Sequence, residues 1–148
     1  MRLLVCGPRN LTSAAMYPLT QALLEACRAH LPYKPGFVMA HGAARGADLL
    51  WEDALTFVVD RNPLLWMPVR RMPAQWAKEG RAAGPLRNQR MLESVAPTYW
   101  LAAHWTAEPD TPGTADMVRR LREAGVPGKV VIVPRPEPRR RTEEAYGT

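Results

Sequence analysis

Cysteine is scarce in this chain of 148 residues: only Cys6 and Cys27 occur, with no spacing that would make a metal-ligand pair or a disulfide framework. Reduced thiols in a cytoplasmic protein are the expectation. Histidine is limited to His30, His41 and His104, and neither HExxH nor CxxC is present, so no metal site and no metal or organic cofactor is expected. Aromatic residues make up 7% of the chain. No apolar run approaches the roughly 20 residues that a membrane helix needs, so no membrane partner is expected. The opening run Leu3 to Cys6 stops at Gly7, too short for the apolar stretch of a signal peptide. Internal repeats are absent as well. What remains is a chain whose length suits one domain, large enough to bury about two-thirds of its unfolded surface.

Charge is unevenly placed. Between Arg61 and Leu92 stand seven basic residues (Arg61, Arg70, Arg71, Lys78, Arg81, Arg87 and Arg90) against a single acid, Glu79. That local excess equals the net charge of the whole chain, +6. The C-terminal stretch 134–148 also holds four arginines, but Glu137, Glu143 and Glu144 offset most of them, and three prolines interrupt it. It has few apolar residues and is expected to be a mobile tail beyond a domain spanning 1–133.

Short apolar runs alternate with helical periods, the pattern of a parallel α/β sheet. Strands are expected at Leu3–Cys6, Phe37–Ala40, Leu64–Met67, Tyr99–Ala102 and Lys129–Val133. The fourfold recurrence of Leu19, Leu23, Cys27 and Leu31 predicts a first helix, with Pro18 in its first turn. Leu50, Ala54 and Phe57/Val58 predict a second, ending before Asn62-Pro63. A long loop from Pro68 to Ala83, with a helical turn near Trp76, leads to a third over Leu86–Val95. Met117, Leu121 and Ala124 mark a fourth, ended by Gly125. The fold expected is one Rossmann-like domain: a five-stranded parallel sheet of order 3-2-1-4-5 with helices on both faces. Such sheets bind ligands beyond the carboxyl ends of their strands, where strand order reverses.

Three strand ends open into small-residue loops that lead into helices: Gly7-Pro8-Arg9, His41 to Asp48, and Asp110 to Asp116. Glycine admits close backbone approach, and a helix start behind it offers free N–H groups to phosphate. Thr114 adds a hydroxyl donor, and Arg9 or Arg45 can pair with phosphate bidentately. The cationic stretch arrives at the same edge, where Gly84-Pro85 before Arg87-Asn88 reads as a helix opening. Together these predict an anionic small ligand.

The motif set GPR (Gly7 to Arg9), HGAARGAD (His41 to Asp48), Trp76, GRAAGPLRNQRM (Gly80 to Met91) and PGTADM (Pro112 to Met117) resembles the YspA-type branch of the SLOG superfamily. That Rossmann-like group is related to the LOG and DprA proteins. The resemblance runs in order over Met1 to Val133. It implies binding of a nucleotide or nucleotide-derived molecule, in bacterial, plasmid or phage conflict or signalling systems, and a homodimer paired through helices. This chain departs from the branch at Pro8, at Gln75 and at Ala43. LOG-type hydrolases resemble PGGxGTxxE, whereas Met117 stands here where their Glu would be. That weakens N-glycosidic hydrolysis as an activity, with Asp48 and Asp116 as the substitute carboxylates.

Residue by residue, alternatives stand side by side. Asp48 is a ribose-hydroxyl acceptor or the cap of the second helix. Arg87 and Asn88 hold phosphate and base edge, or Asn88 satisfies a loop. Trp76 stacks on a base or closes the core. Trp51 and Trp66 read as packing, His41 as structural, and Glu79 as the salt-bridge partner of a nearby arginine. The binding set expected is Gly7, Arg9, Gly42, Arg45, Gly46, Asp48, Trp76, Gly84, Arg87, Asn88, Gly113 and Thr114. A binding or sensing module ranks first, a nucleotide-processing hydrolase second and a DprA-like nucleic-acid-binding protein third. The third lacks the basic patch interleaved with aromatics that single strands favour.

Overall fold

A computed structural model describes residues 1–32 and 36–138. Five parallel strands form one sheet in the order β3-β2-β1-β4-β5. β1 (Arg2–Cys6) lies at its centre between β2 (Val38–His41) and β4 (Tyr99–His104), with β5 (Gly128–Ile132) on one edge and β3 (Val69–Arg71) on the other. Leu3, Leu4 and Val5 are fully buried, as a central strand covered on both faces requires, and this is why β1 reads as an unbroken apolar run. Strand order reverses where β1 meets β4, with Leu4 opposite Trp100 and Cys6 opposite Ala102. The domain is Rossmann-like.

Helices cover both faces. α1 (Met16–Ala29) and α2 (Ala47–Arg61) pack on each other and on the larger core cluster, which includes Leu19, Leu23, Trp51 and Leu101. α4 (Ala83–Val95) and α5 (Pro112–Glu123) pack together over a smaller one built on Leu4, Met91, Trp100 and Leu121. A helical turn, α3 (Trp76–Glu79), precedes α4. No helix among the described residues is long and apolar enough to cross a membrane.

The third strand is not where the apolar run predicts it. Pro63–Leu65 forms a 3-10 turn, Leu64 is 92% exposed, and the ladder begins only at Pro68, whose carbonyl accepts from Met39 N–H. β3 is Val69–Arg71, a short charged edge strand of the kind that resists pairing with other chains. Trp66 is accordingly 64% exposed and lies outside any regular element, against the expectation of packing, whereas Trp51 is fully buried and donates through Nε1 to the Cys6 carbonyl.

Boundaries shift elsewhere too. α1 ends before Leu31, which is half exposed, and on α2 it is Val58 that is buried while Phe57 faces out. β2 begins at Val38, one residue after the expected start, and β4 runs on to His104. The expected loop Pro68–Ala83 is largely ordered, since β3, α3 and a 3-10 turn at Gly80–Ala82 occupy it. α4 therefore starts a turn early, at Ala83, with Pro85 in the first turn, where no N–H is required. Of the tail, 134–138 carries no regular structure, and 139–148 lies outside the described residues.

Candidate functional site

The carboxyl ends of β1 and β2, the N-terminal turns of α4 and α5, and Trp76 on α3 enclose a cavity of about 530 Å³. That size is within the range of small-molecule sites. Ten of the twelve expected binding residues line it: Gly7, Arg9, Gly42, Asp48, Trp76, Gly84, Arg87, Asn88, Gly113 and Thr114. Arg45 and Gly46 do not. Arg45 lines a second cavity of about 240 Å³, whose walls share Arg9, Gly42, Trp76 and Arg87 with the first. Gly46 is a packing residue: with φ of 74° it passes so close to the first loop that a Cβ would collide with the Arg9 backbone.

Sequence reasoning missed several walls. Arg81, Cys6, Met91 and Thr111 also line the main cavity. Arg81 belonged to the cationic stretch but had no assigned place, because only the early start of α4 turns the segment toward the sheet edge. The Cys6 side of the floor is apolar in character, since burial and then the Asp48 carboxylate push its thiol well above the usual range.

Electrostatically the site is rich in arginine, with the carboxyl groups of Asp48 and Asp116 also on its wall. Arg71, Arg90, Arg119, Arg120 and Arg122 each pair with a carboxylate. Among the described residues, none of the four arginines lining the cavities (Arg9, Arg45, Arg81, Arg87) forms an ion pair. Arg87 is held by neutral groups instead. Its Nη1 donates to the carbonyls of Gly42 (2.7 Å) and Met72 (3.4 Å), and Nε donates to Asn88 Oδ1 at 3.0 Å. Burial lowers its affinity for the proton, Asp48 opposes that, and the like charge of Arg9 adds to it. Arg9 in turn lies over the Trp76 ring, 5.1 Å from its centroid.

Asn88 is a joint between helices. Buried on α4, its amide donates to the Gly113 carbonyl (3.3 Å) and to Asp116 Oδ2 (2.9 Å) on α5. Both amide hydrogens are thereby occupied by groups of α5, not by a loop. Asp116 also receives Arg119 at Oδ1 and Arg120 at Oδ2, each at 2.8 Å. Burial acts to raise its pKa, but the hydrogen bonds from Arg120, Asn88 and Arg119 outweigh it and hold the carboxyl below its ordinary value.

Asp48 differs. It is the second residue of α2, not the residue before it, so it does not cap the helix. Its Oδ2 accepts from Ala44 N–H at 3.0 Å and closes the preceding loop. Burial raises its pKa against the pull of that bond, of His41 and of Arg87. His41 is structural. Fully buried, it accepts the Ala43 N–H at Nδ1, which leaves Nε2 to donate to Glu52 Oε1 at 2.6 Å. Glu52, which also takes Arg71, went unassigned because a lone Glu on a helix carries no signal of its distant partners. Glu79 pairs with Arg90, as its setting implied.

The start of α5 presents donors without acceptors. Gly113 and Thr114 sit in the turn whose N–H groups lack intrahelical partners. A Cβ on Gly113 would meet nothing within 4 Å, so the backbone there is bare. Thr114 is buried, lines the cavity and has no hydrogen-bond partner for its hydroxyl among the described residues, and Thr111 Oγ1 is likewise unpartnered. No group of three or more His, Cys, Asp or Glu among the described residues is placed to hold a metal ion.

Comparison with protein-family models, curated proteins and solved structures returns no match for this chain.

Proposed function

We propose that the protein binds a nucleotide or nucleotide-derived small molecule at the carboxyl edge of its sheet and acts as a sensing or sequestering module. The observation that carries this reading is the convergence of arginines without ion pairs and unpartnered donors at the start of α5 on one concave cavity. Phosphate answers both features, since it accepts several hydrogen bonds at once and is favoured at a helix N-terminus. Trp76, 48% exposed at the cavity wall, offers a face for a base. The resemblance to the YspA-type branch of the SLOG superfamily supports the same ligand class, and with it a bacterial or phage setting, a cytoplasmic location and a homodimer.

A nucleotide-processing hydrolase is the second reading, and Asp48 favours it. A buried carboxyl with a raised pKa at the cavity floor is the form a general acid takes. Against it, the neighbouring Met117 is buried and apolar where LOG-like enzymes place a carboxylate.

Mass spectrometry of the small molecules released on denaturing the purified protein, followed by calorimetric titration of each candidate, tests the proposal. A nucleotide-type molecule that rebinds stoichiometrically is expected. Failure of every nucleotide to bind would reject it.

A further inference from the structure

β2 and β4 flank the central strand, and each ends in a fully buried histidine, His41 and His104. The two are built alike. Nδ1 of each accepts the backbone N–H two residues on, from Ala43 at 2.9 Å and from Thr106 at 3.0 Å, so each carries its proton on Nε2, facing a carboxylate. At His41 the arrangement is complete, since Glu52 accepts at 2.6 Å and is itself held by Arg71. His104 is left open. Its Nε2 lies 3.3 Å from Asp110 Oδ1 without a hydrogen bond, and the Asp110 side chain is 77% exposed. A second difference lies at Nδ1. Ala43 offers that nitrogen only an N–H, whereas the Thr106 hydroxyl also stands 3.0 Å from it and donates its own hydrogen to the Glu108 carbonyl at 2.8 Å. An oxygen already donating elsewhere can only accept from an imidazole. Thr106 therefore holds a partner for Nδ1 in either state of the ring: its N–H for the neutral form, its hydroxyl oxygen for the charged one.

The loop tied to this ring leads straight into the start of α5. Trp105 stacks on the imidazole with 4.2 Å between centroids, Thr106 and Asp110 meet its two nitrogens, and Thr111 and Gly113 follow on the wall of the main cavity. We propose that His104 is a proton-operated latch. Uptake of a proton at Nδ1 exchanges the Thr106 N–H for the Thr106 hydroxyl, draws Asp110 onto Nε2, and so resets the cavity wall at the start of α5. Thr106 is exposed, so the released N–H turns to solvent. The assignment goes beyond the nucleotide reading and does not depend on it. Burial holds the pKa of His104 below its ordinary 6.5, so the ring is neutral at neutral pH and the exchange falls on the acid side. Of the charged groups around it, Asp110 favours the exchange, and Arg135, from the chain after β5, opposes it. Glu108 is taken by Arg122 of α5, and Lys129 of β5 by Glu25 of α1.

Long-range proton–nitrogen NMR spectra of the imidazoles test this without any ligand, recorded with amide spectra on the full chain from about pH 8 down to about pH 4. His104 should carry its proton on Nε2 at the upper end. Below pH 6.5, Nδ1 should gain a proton in one transition, and the amides of Thr106, Asp110 and Gly113 should shift with the same midpoint. Thr106→Val and Asp110→Asn should each lower that midpoint by about half a unit or more, whereas Thr106→Ser should retain it. A proton on Nδ1 at the upper end, no transition in the window, or a titration that leaves Gly113 unmoved would overturn the latch. So would a midpoint unchanged in both of the first two variants. The wild-type spectra decide the matter by themselves if a variant fails to fold, and none of these outcomes bears on whether a nucleotide binds.

Discussion

Gly42 and Arg87 occupy one space between them: the arginine's Nη1 donates to the glycine's carbonyl at 2.7 Å, and the Cβ that Gly42 lacks would overlap the guanidinium. Gly42 therefore does more than turn the chain after β2. It leaves the slot that aims Arg87, forty-five positions later, into the cavity.

Arg87→Ala should weaken a nucleotide ligand by about 2 kcal/mol, the loss typical of a desolvated charge-assisted bond. Gly42→Ala should reproduce much of that loss from the opposite side. The displaced atoms are the far end of a flexible side chain, so urea denaturation should show a change within about 1 kcal/mol. Calorimetry and denaturation on the same variant separate the two effects. Unchanged affinity in both variants would make the Arg87–Gly42 contact purely structural.

Gly7 and Gly46 should behave differently, because close-packed core and backbone stand where their side chains would go. A Cβ on Gly7 would lie 2.5 Å from Ala47 Cβ and 3.1 Å from Ala103, where α2 meets the sheet. Gly46→Ala adds the strain of a φ of 74° to a collision with the first loop. Each change should destabilise by about 1–3 kcal/mol, the usual range for overpacking. Denaturant midpoints measured with no ligand added check this, and near-wild-type stability would contradict the packing described.

Asp48 supplies a pH signature of definite sign. Its native pKa is raised above the ordinary 3.8, chiefly by burial. Between those two values the native state binds the extra proton, so Asp48's contribution is most favourable below 3.8 and is lost as pH rises through the native pKa. Glu52 acts in the opposite sense. Its pKa is lowered, first by the Arg71 hydrogen bond, so its contribution is present above 4.5 and lost as pH falls through the native value. Asp48→Asn keeps an oxygen for the Ala44 N–H and removes the first effect alone. Stability curves from about pH 4 to about pH 8 should therefore diverge, with the variant gaining on the wild type as pH rises. Parallel curves would mean that the carboxyl titrates normally.

The sheet order was legible because buried parallel strands give continuous apolar runs separated by helical periods. Leu3–Cys6 and Tyr99–Ala102 are of that kind. β3 was not, since an edge strand of Val-Arg-Arg carries no apolar run, while the adjacent Leu64-Leu65-Trp66-Met67 does and yet forms a turn after Pro63. The main cavity was legible through its glycines, which are local turn chemistry. Arg81 and Glu52 were not placed, and Arg45, expected in the binding set, lines the second cavity and not the main one, because what each faces depends on elements far along the chain. Periodicity does not encode that distance.

The last expectation is that nucleoside monophosphates are bound without efficient turnover. Asp116, one of the two candidate catalytic carboxylates, lines the main cavity but is committed to Arg119, Arg120 and Asn88, and those bonds hold it ionised. A carboxylate with its oxygens occupied and its pKa depressed is a weak base, and general acid–base catalysis contributes about two to four orders of magnitude in rate. Pro8 removes a backbone donor from the first loop, which also limits stabilisation of a developing negative charge. Incubation with AMP, NAD and ADP-ribose, followed by chromatography of the products, should show turnover below about one per second, the lower end of the ordinary enzyme range. Faster turnover would favour the hydrolase reading and direct attention to Asp48. In that case Asp48→Asn should abolish activity, whereas Asp116→Asn should act mainly by loosening the contact between α4 and α5.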